Sequence, residues 1–332
     1  MKFDIRKLIL WVIVLAWLTM AGCIEEADTP EPDIDPDTDT TDATQELWQE
    51  ELTIWTPNWP GARVISQVAH DVLEEQWYDV EVNQLEPGIA YESLAAEEID
   101  IMLAGWLPTT HQEFWDEVGE DIQIAGVNVL TTWLGLAVPD YVDEDIQSLE
   151  DLADEEVAET FDNTITWIDP EAGVMSNTET VMEEYGLEDY GWELESSSES
   201  AMMSSLNTSV SDEEPIIITA WEPHAMFNIT ELRQLEDAES IYNDPDGTAA
   251  FLEEHAPEYA DEEVHSDVIA SLTYNDFEEV APAAYNLLTN LQVESDVQSG
   301  WIYSLQEEDM DPEEIAEEFI QENEDLVESW KN

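Results

Sequence analysis

The chain has 332 residues, 83 of them Asp or Glu and only 6 Lys or Arg, for a formal net charge of −77. Lys2, Arg6 and Lys7 stand at the extreme N-terminus, which leaves Arg63, Arg233 and Lys331 for the rest. Too few cations exist to displace counterions from phosphates, so nucleic acid is excluded as a partner, as is docking onto anionic lipid through basic patches. An apolar fraction of 43%, with 14 Trp, 10 Tyr and 7 Phe, supplies ample core and argues against disorder throughout. The length suits two domains or two lobes. At this charge a compact state repels itself in dilute buffer, but at molar salt the Debye length falls to about 3 Å and the repulsion is screened. The composition therefore reads as a surface adapted to very high ionic strength rather than as a metal store. The Asp-rich run at 32–42 lacks the central Gly of a calcium loop, and Asn243-Asp244-Pro245-Asp246-Gly247 has Tyr242 where the first ligand should stand. Neither a metal nor a cofactor is expected.

Residues 2–7 are basic, and 8–22 form an apolar run of 15 residues. That is short of the ~20 needed to cross a bilayer as a helix. The run ends Thr19-Met20-Ala21-Gly22-Cys23, and small residues directly before a cysteine resemble a lipobox. The expectation is a lipoprotein signal peptide over 1–22, with cleavage before Cys23 and a lipid on its sulfur. The other reading is an uncleaved membrane anchor. Both put the remainder outside the cytoplasm, tethered to the membrane. Cys23 is the sole cysteine, so no internal disulfide is possible. Residues 24–46 are rich in Pro, Asp and Thr and cannot bury a core. With Cys23 they give an acidic tether over 23–50, and folding is expected to begin near Leu47 or Glu51.

From there strand and helix signals alternate. The pattern predicts strands at 52–55, 79–84 and 99–107, helices at 60–76, 91–98 and 109–118 with a Thr cap, and a further apolar run at 130–138. A second set follows. It has a helix at 148–159 with Ser148 as a cap, strands at 164–168, 192–195 and 216–221, and helices at 177–185, stopped by Gly186, and 200–210. The last 70 or so residues read as mostly helical, strongly so at 312–322 and 324–330. Alternating strands and helices predict α/β architecture with mainly parallel sheets in two lobes. In such sheets ligands bind beyond the carboxyl ends of the strands.

No nucleotide-binding glycine loop, phosphate loop, zinc-protease helix or serine elbow is present, and none of the five His pairs with another at i, i+4. With 83 carboxylates, any acid–base pair is trivially easy to nominate. The chain does not read as an enzyme. Three aromatic segments remain: Thr56-Pro57-Asn58-Trp59, Gly105-Trp106-Leu107-Pro108-Thr109-Thr110-His111, and Ala220-Trp221-Glu222-Pro223-His224. Taken singly, each Trp reads as an ordinary half-buried core residue. Three in equivalent positions, at or just past strand ends, read as a cage for a cation with no hydrogen to donate.

These segments carry a resemblance. Residues 104–111, AGWLPTTH, look like the glycine betaine-binding proteins of osmoprotectant ABC importers, and 168–175, IDPEAGVM, resemble that family's IDPGAGIM-like loop. Residues 198–203, SESAMM, and 215–224, PIIITAWEPH, are similar to its SSEAAM-like helix start and PIIVTGWxPHW segment, all in one consistent order over roughly 51–330. The resemblance implies a two-lobed periplasmic-binding-protein-like fold that closes on its ligand. It implies a first lobe over 51–138, a second over 139–263, and a return to the first over 264–332. It places the trimethylammonium group between Trp59, Trp106 and Trp221, and the carboxylate on His111 and the backbone amides of Gly173 and Val174. A loop opening a helix near Asn177 fits that last role, since it presents free amides and a positive dipole end. The partners implied are a quaternary ammonium ligand and a membrane ABC permease, with the chain a monomer. Choline as ligand, and a sensory role beside a chemotaxis transducer, remain alternatives. Ala225 stands where the family often has a second Trp, and Glu171 where Gly is usual. His224, with Pro223, reads as orienting its loop.

The charge generates a direct test. In about 0.05 M KCl the chain should lose the compactness it has in about 3 M KCl, because screening of the carboxylates is withdrawn. Circular dichroism in the two buffers measures this, and equal stability would assign the acidity another purpose.

Overall fold

A computed structural model describes residues 51–168 and 174–332. The expected signal peptide, Cys23, the tether, Gly173 and the rest of its loop at 169–173 lie outside the described residues.

The first set of elements is β1 (Glu51–Thr56), α1 (Pro60–Glu75), β2 (Asp79–Gln84), α2 (Pro87–Ala95), β3 (Ile101–Leu107), α3 (Gln112–Val118) and β4 (Ile122–Val129). The second is β5 (Trp133–Pro139), α4 (Glu155–Thr160), β6 (Thr164–Trp167), α5 (Val174–Glu184), β7 (Glu193–Ser196), α6 (Glu199–Asp212), β8 (Ile218–Glu222), α7 (Met226–Ile229) and β9 (Leu232–Gln234). Then come α8 (Pro245–His255), β10 (Val268–Tyr274), α9 (Phe277–Val280), α10 (Pro282–Asn290), α11 (Ser295–Glu307), α12 (Pro312–Glu322) and α13 (Glu324–Trp330).

Helix starts follow local chemistry. Proline sits at the first helical position of α1, α2, α8, α10 and α12, where its missing N–H has no partner to lose. The Ser198 hydroxyl accepts the Ala201 N–H at 3.2 Å and caps α6. Asp154, not Ser148, caps a helix in the second lobe, accepting from Glu156 N at 2.8 Å. Ser148 instead joins a turn in which its N–H and hydroxyl both bond Asp151, each at 2.8 Å. The expected Thr cap of α3 is likewise replaced: the helix starts at Gln112 with His111 before it.

The strands form two five-stranded sheets, ordered β2-β1-β3-β10-β4 and β7-β6-β8-β5-β9. In the first, β1 pairs parallel with β2 and β3, while β10 runs antiparallel between β3 and β4. In the second, β6 pairs parallel with β7 and β8, while β5 runs antiparallel to β8 and β9. Both sheets are thus mixed, with four strands of each running one way and a single strand, β10 or β5, running against them. The expected lobe boundaries also differ from these pairings. Residues 133–138, assigned by the sequence to the first lobe, belong to a strand that pairs with β8 and β9 of the second sheet, so the chain crosses between Val129 and Trp133. The return likewise comes before residue 264. Tyr242 belongs to the second lobe's core, whereas Leu252 and Ala256 pack with first-sheet residues.

Alternation along the first sheet separates two cores. Ile101 and Leu103 face one that contains α1 and the C-terminal helices, and Met102 and Ala104 face another that contains α2 and α8. That is the two-residue side-chain period of a strand. Gly126 on β4 allows the backbone of α10 to lie directly against the sheet, because a Cβ there would run into the Leu288 carbonyl oxygen. Backbone cannot step aside as a flexible side chain can. Gly126→Ala should therefore lower unfolding stability by about 1–3 kcal/mol or more, read from denaturant titration in high salt.

Candidate functional site

Strand β3 ends in Trp106 and Leu107, and a cis Leu107–Pro108 bond follows. The next turn is stapled from the other end of the chain. Asp267, just before β10, accepts the N–H groups of Thr109 and Thr110 at 2.7 and 2.8 Å. Asp267 is fully buried, and burial holds its pKa above the ordinary carboxylate value despite these donors. The turn then folds back on the strand. His111 N–H donates to the Trp106 carbonyl at 2.9 Å, and Trp106 N–H donates to His111 Nδ1 at 3.2 Å.

A backbone N–H can only donate, so Nδ1 accepts and the neutral ring carries its proton on Nε2. The Tyr91 hydroxyl lies 3.1 Å from the same Nδ1. Burial pushes the His111 pKa down to about 3 and holds the Tyr91 phenol well above its usual range. His111 Nε2 is buried and has no hydrogen-bond partner among the described residues. The site thus contains a neutral imidazole whose remaining donor is unmet among the described residues.

The second lobe supplies a matching corner. Trp221 ends β8, a cis Glu222–Pro223 bond follows, and His224 packs against Trp221 with ring centroids 4.8 Å apart at 70°. His224 Nδ1 accepts the Met226 N–H at 3.0 Å, which leaves the Nε2 proton for Glu199 Oε1, also at 3.0 Å. The same Glu199 oxygen accepts from Gln306 Nε2 at 2.8 Å. Gln306 belongs to α11, which packs on the first lobe, so this bond crosses between the lobes. His224 is held as a loop-orienting residue and is nevertheless part of the cavity wall.

One cavity gathers these parts. Trp59, Trp106, Trp221, His111 and Val174 all line it, so the sequence-chosen site residues that fall among the described residues converge. Each of the three indoles is half-buried, whereas Trp55 is fully buried. Trp106 packs against the main cores of both lobes, Trp221 against the second and Trp59 against the α2-side core of the first. The Trp59 and His111 rings lie 6.0 Å apart at 36°. Val174 is the first described residue of α5, which begins ahead of the expected start at Asn177.

Sequence reasoning missed several wall residues. Gly61 and Ala62, in the first turn of α1, line the cavity, and first-turn N–H groups of a helix have no intrahelical acceptor. A Cβ on Gly61 would stand 3.1 Å from Gln298 Cδ, so glycine lets α11 close against α1. The signal was present as Trp59-Pro60-Gly61, a proline helix start directly after a strand. Gln298 and Ile302 of α11 also line the cavity, and no local pattern announces them. Among the described residues Glu199 is its one carboxylate. Among the described residues no group of three or more His, Cys, Asp or Glu is placed to hold a metal.

Two α/β lobes around an aromatic cavity are the architecture of a periplasmic-type solute-binding protein. Residues 50–322 match the OpuAC family, the substrate-binding domain of ABC-type glycine betaine transport systems. The chain belongs to this family, which consists of transport substrate-binding domains and not enzymes. It is 33% identical over 178 residues to a glycine betaine/carnitine transport binding protein of Listeria monocytogenes, and that match spans 54% of this chain and 52% of the relative's length. Lactococcal OpuAC, solved closed with glycine betaine, superposes with a TM-score of 0.72 at 26% identity, covering 85% of this chain and 100% of that one. A glycine betaine/L-proline-binding protein (ProX) of Borrelia burgdorferi gives a TM-score of 0.74 at 25% identity, covering 85% and 97%.

The state of His111 yields a pH prediction. Its pKa is about 3 when folded against 6.5 as an ordinary histidine. Between these values the unfolded chain binds a proton that the folded chain refuses. The stability cost is absent above the unfolded value and grows as pH falls through the window, by up to about 1.4 kcal/mol per pH unit. Replacing His111 by Gln removes the term. The stability advantage of wild type over His111→Gln should therefore shrink as pH drops from about 7 to 4.5, measured by urea unfolding at constant high salt. A constant difference would mean His111 titrates normally.

Proposed function

We propose that this protein is an extracytoplasmic solute-binding lipoprotein, anchored through lipid on Cys23. In this reading it captures glycine betaine, or the close relative proline betaine, and delivers it to a membrane ABC permease for osmoprotection. Trp59, Trp106 and Trp221 hold the quaternary ammonium group. His111 Nε2 and the backbone amides of Gly173 and Val174 take the carboxylate. The acidic surface suits an organism or compartment of high salt. No described helix is long and apolar enough to cross a membrane, so the anchor is assigned to the N-terminal segment.

The observation that carries this reading is the convergence of three half-buried indoles on a cavity that also contains a buried imidazole donor with no partner among the described residues. A methylated ammonium ion offers no N–H, so aromatic faces bind it better than acceptors do. Each desolvated contact contributes about 2 kcal/mol at best. Charge-assisted hydrogen bonds to a carboxylate add roughly 1.5–3 kcal/mol each. Together these reach the −8 kcal/mol or so of micromolar binding.

Calorimetric titration with glycine betaine and choline tests the assignment. Wild type should prefer glycine betaine by at least about a hundredfold, because choline leaves the carboxylate donors desolvated and unused. Trp106→Ala or Trp221→Ala should weaken binding of both ligands at least about tenfold. His111→Ala should weaken glycine betaine and leave choline nearly unchanged. Were it to weaken both alike, His111 would be shaping the cage, and choline would become the better candidate ligand.

A further inference from the structure

Among the described residues Asp267 is the one acidic side chain that is fully buried. It forms no ion pair there. A buried carboxylate without a cation is costly unless hydrogen bonds hold it. In a chain whose 83 acidic residues suit a hydrated surface, placing this one inside, next to the candidate site, calls for a reason.

Its bonds supply one. One carboxylate oxygen accepts the Thr109 N–H at 2.7 Å and the other the Thr110 N–H at 2.8 Å. These amides belong to the turn whose next residue is His111. The main chain of Asp267 is engaged elsewhere. Its carbonyl accepts the Thr132 hydroxyl, and Thr132 lies in the first crossing between the lobes, from Val129 to Trp133. The hydroxyl of the preceding residue, Ser266, donates to the Tyr242 carbonyl at 3.0 Å. Tyr242 belongs to the second lobe's core and stands where the chain starts back to the first. Asn243 ties that return to the end of the first crossing, donating to the Leu134 carbonyl at 2.7 Å and accepting the Leu134 N–H at 3.2 Å. Ser266 and Asp267, adjacent and both buried, thus join both crossings to the turn that carries His111. Trp106 has a separate support, since it pairs with Ile269 in the first sheet.

We propose that Asp267 is a positioning residue that registers the two inter-lobe crossings onto His111. Its backbone is fixed by the crossings and its carboxylate fixes the turn, so His111 Nε2 is aimed into the cavity only while the crossings keep this arrangement. The proposal rests on the carboxylate reading above, in which His111 donates to the ligand. Asp267 then touches no ligand itself. It sets how strongly the protein favours a zwitterion over a cation that lacks a carboxylate, and it leaves the indoles to the sheet.

A double-mutant cycle, read by calorimetric titration of glycine betaine in about 3 M KCl, tests this. Asn has nearly the shape of Asp but offers one carbonyl oxygen and an NH2 group, so one of the two amides would face a donor. Asp267→Asn should weaken glycine betaine at least about tenfold in the wild-type background. In the His111→Ala background the same change should cost less than about twofold, because the donor it aims is gone. Thr132→Val removes the hydroxyl bond to the Asp267 carbonyl and should show the same pattern with a smaller loss, about threefold in the wild-type background. Choline, which has no carboxylate, should change by less than about twofold in either variant. The proposal is overturned if Asp267→Asn binds glycine betaine as tightly as wild type. It is equally overturned if the loss is the same in both backgrounds or as large for choline, since Asp267 would then act on packing in general. Its link to the crossings is overturned if Thr132→Val changes nothing. Where circular dichroism shows that Asp267→Asn does not fold, Thr132→Val decides by the same criteria. Failure of the carboxylate reading looks different: His111→Ala alone would leave glycine betaine binding unchanged.

Discussion

The hydrogen bond from Trp106 N–H to His111 Nδ1, 3.2 Å long, sets much of the site. It occupies the only lone pair a neutral imidazole has in its plane and so fixes which nitrogen keeps the proton. The reverse bond from His111 N–H to the Trp106 carbonyl closes the turn at both ends. Indole and imidazole are thereby presented from one rigid corner. Burial adds the second half of the effect: with a pKa near 3, the ring offers a donor without carrying a charge. A permanent positive charge beside an aromatic cage would repel a cationic head. In the proposed reading a neutral N–H serves a carboxylate and leaves the cage undisturbed.

Electrostatics inside the cavity contrast with the surface. The molecule carries −77 overall, yet among the described residues of the cavity wall Glu199 alone is acidic, and that carboxylate is tied by His224 and Gln306. A cavity of free carboxylates in brine would fill with inorganic cations. Indole faces attract a bulky, weakly hydrated cation, while a small hydrated ion would have to shed water there without gaining oxygen ligands. Among the described residues the acidity of the surface is thus largely absent from the cavity wall.

Much of this was legible in the sequence because it is local. Trp59 stands soon after a strand and Trp106 and Trp221 near strand ends, and β3 is a plain apolar run halted by Pro108. What escaped depends on distant partners. Strand β10 lies in a C-terminal region that reads as helical, yet every residue from Val268 to Tyr274 is buried in the sheet. A fully buried run of that length has no polar face and so no diagnostic period. The return of β10 between β3 and β4 is also what makes the first sheet mixed. Residues 133–138 were misplaced for a related reason: an apolar run fits either lobe equally, and only its pairing with β8 and β9 decides. The contributions of Gln298 and Ile302 are long-range contacts of α11 with α1, specified by Gly61 at one end and by the whole C-terminal fold at the other.

Those long-range contacts bear on how the two lobes act together. Trp106 packs against both main cores, and Glu199 of the second lobe accepts from Gln306 of the first. Glu199 is also the partner that holds His224, which lies against Trp221. Separating the lobes would therefore remove one neighbour of Trp106 and one donor of Glu199 in the same movement. The aromatic wall of the cavity is complete only when these contacts are made, because its rings come from both lobes: Trp59 and Trp106 from the first, Trp221 from the second. A ligand that bridges the three rings gains its full contact energy only in the closed arrangement, and differential affinity of that kind is what allows a ligand to shift a conformational equilibrium. In the proposed reading recognition and closure are one event, since the residues that line the cavity also form the contacts between the lobes.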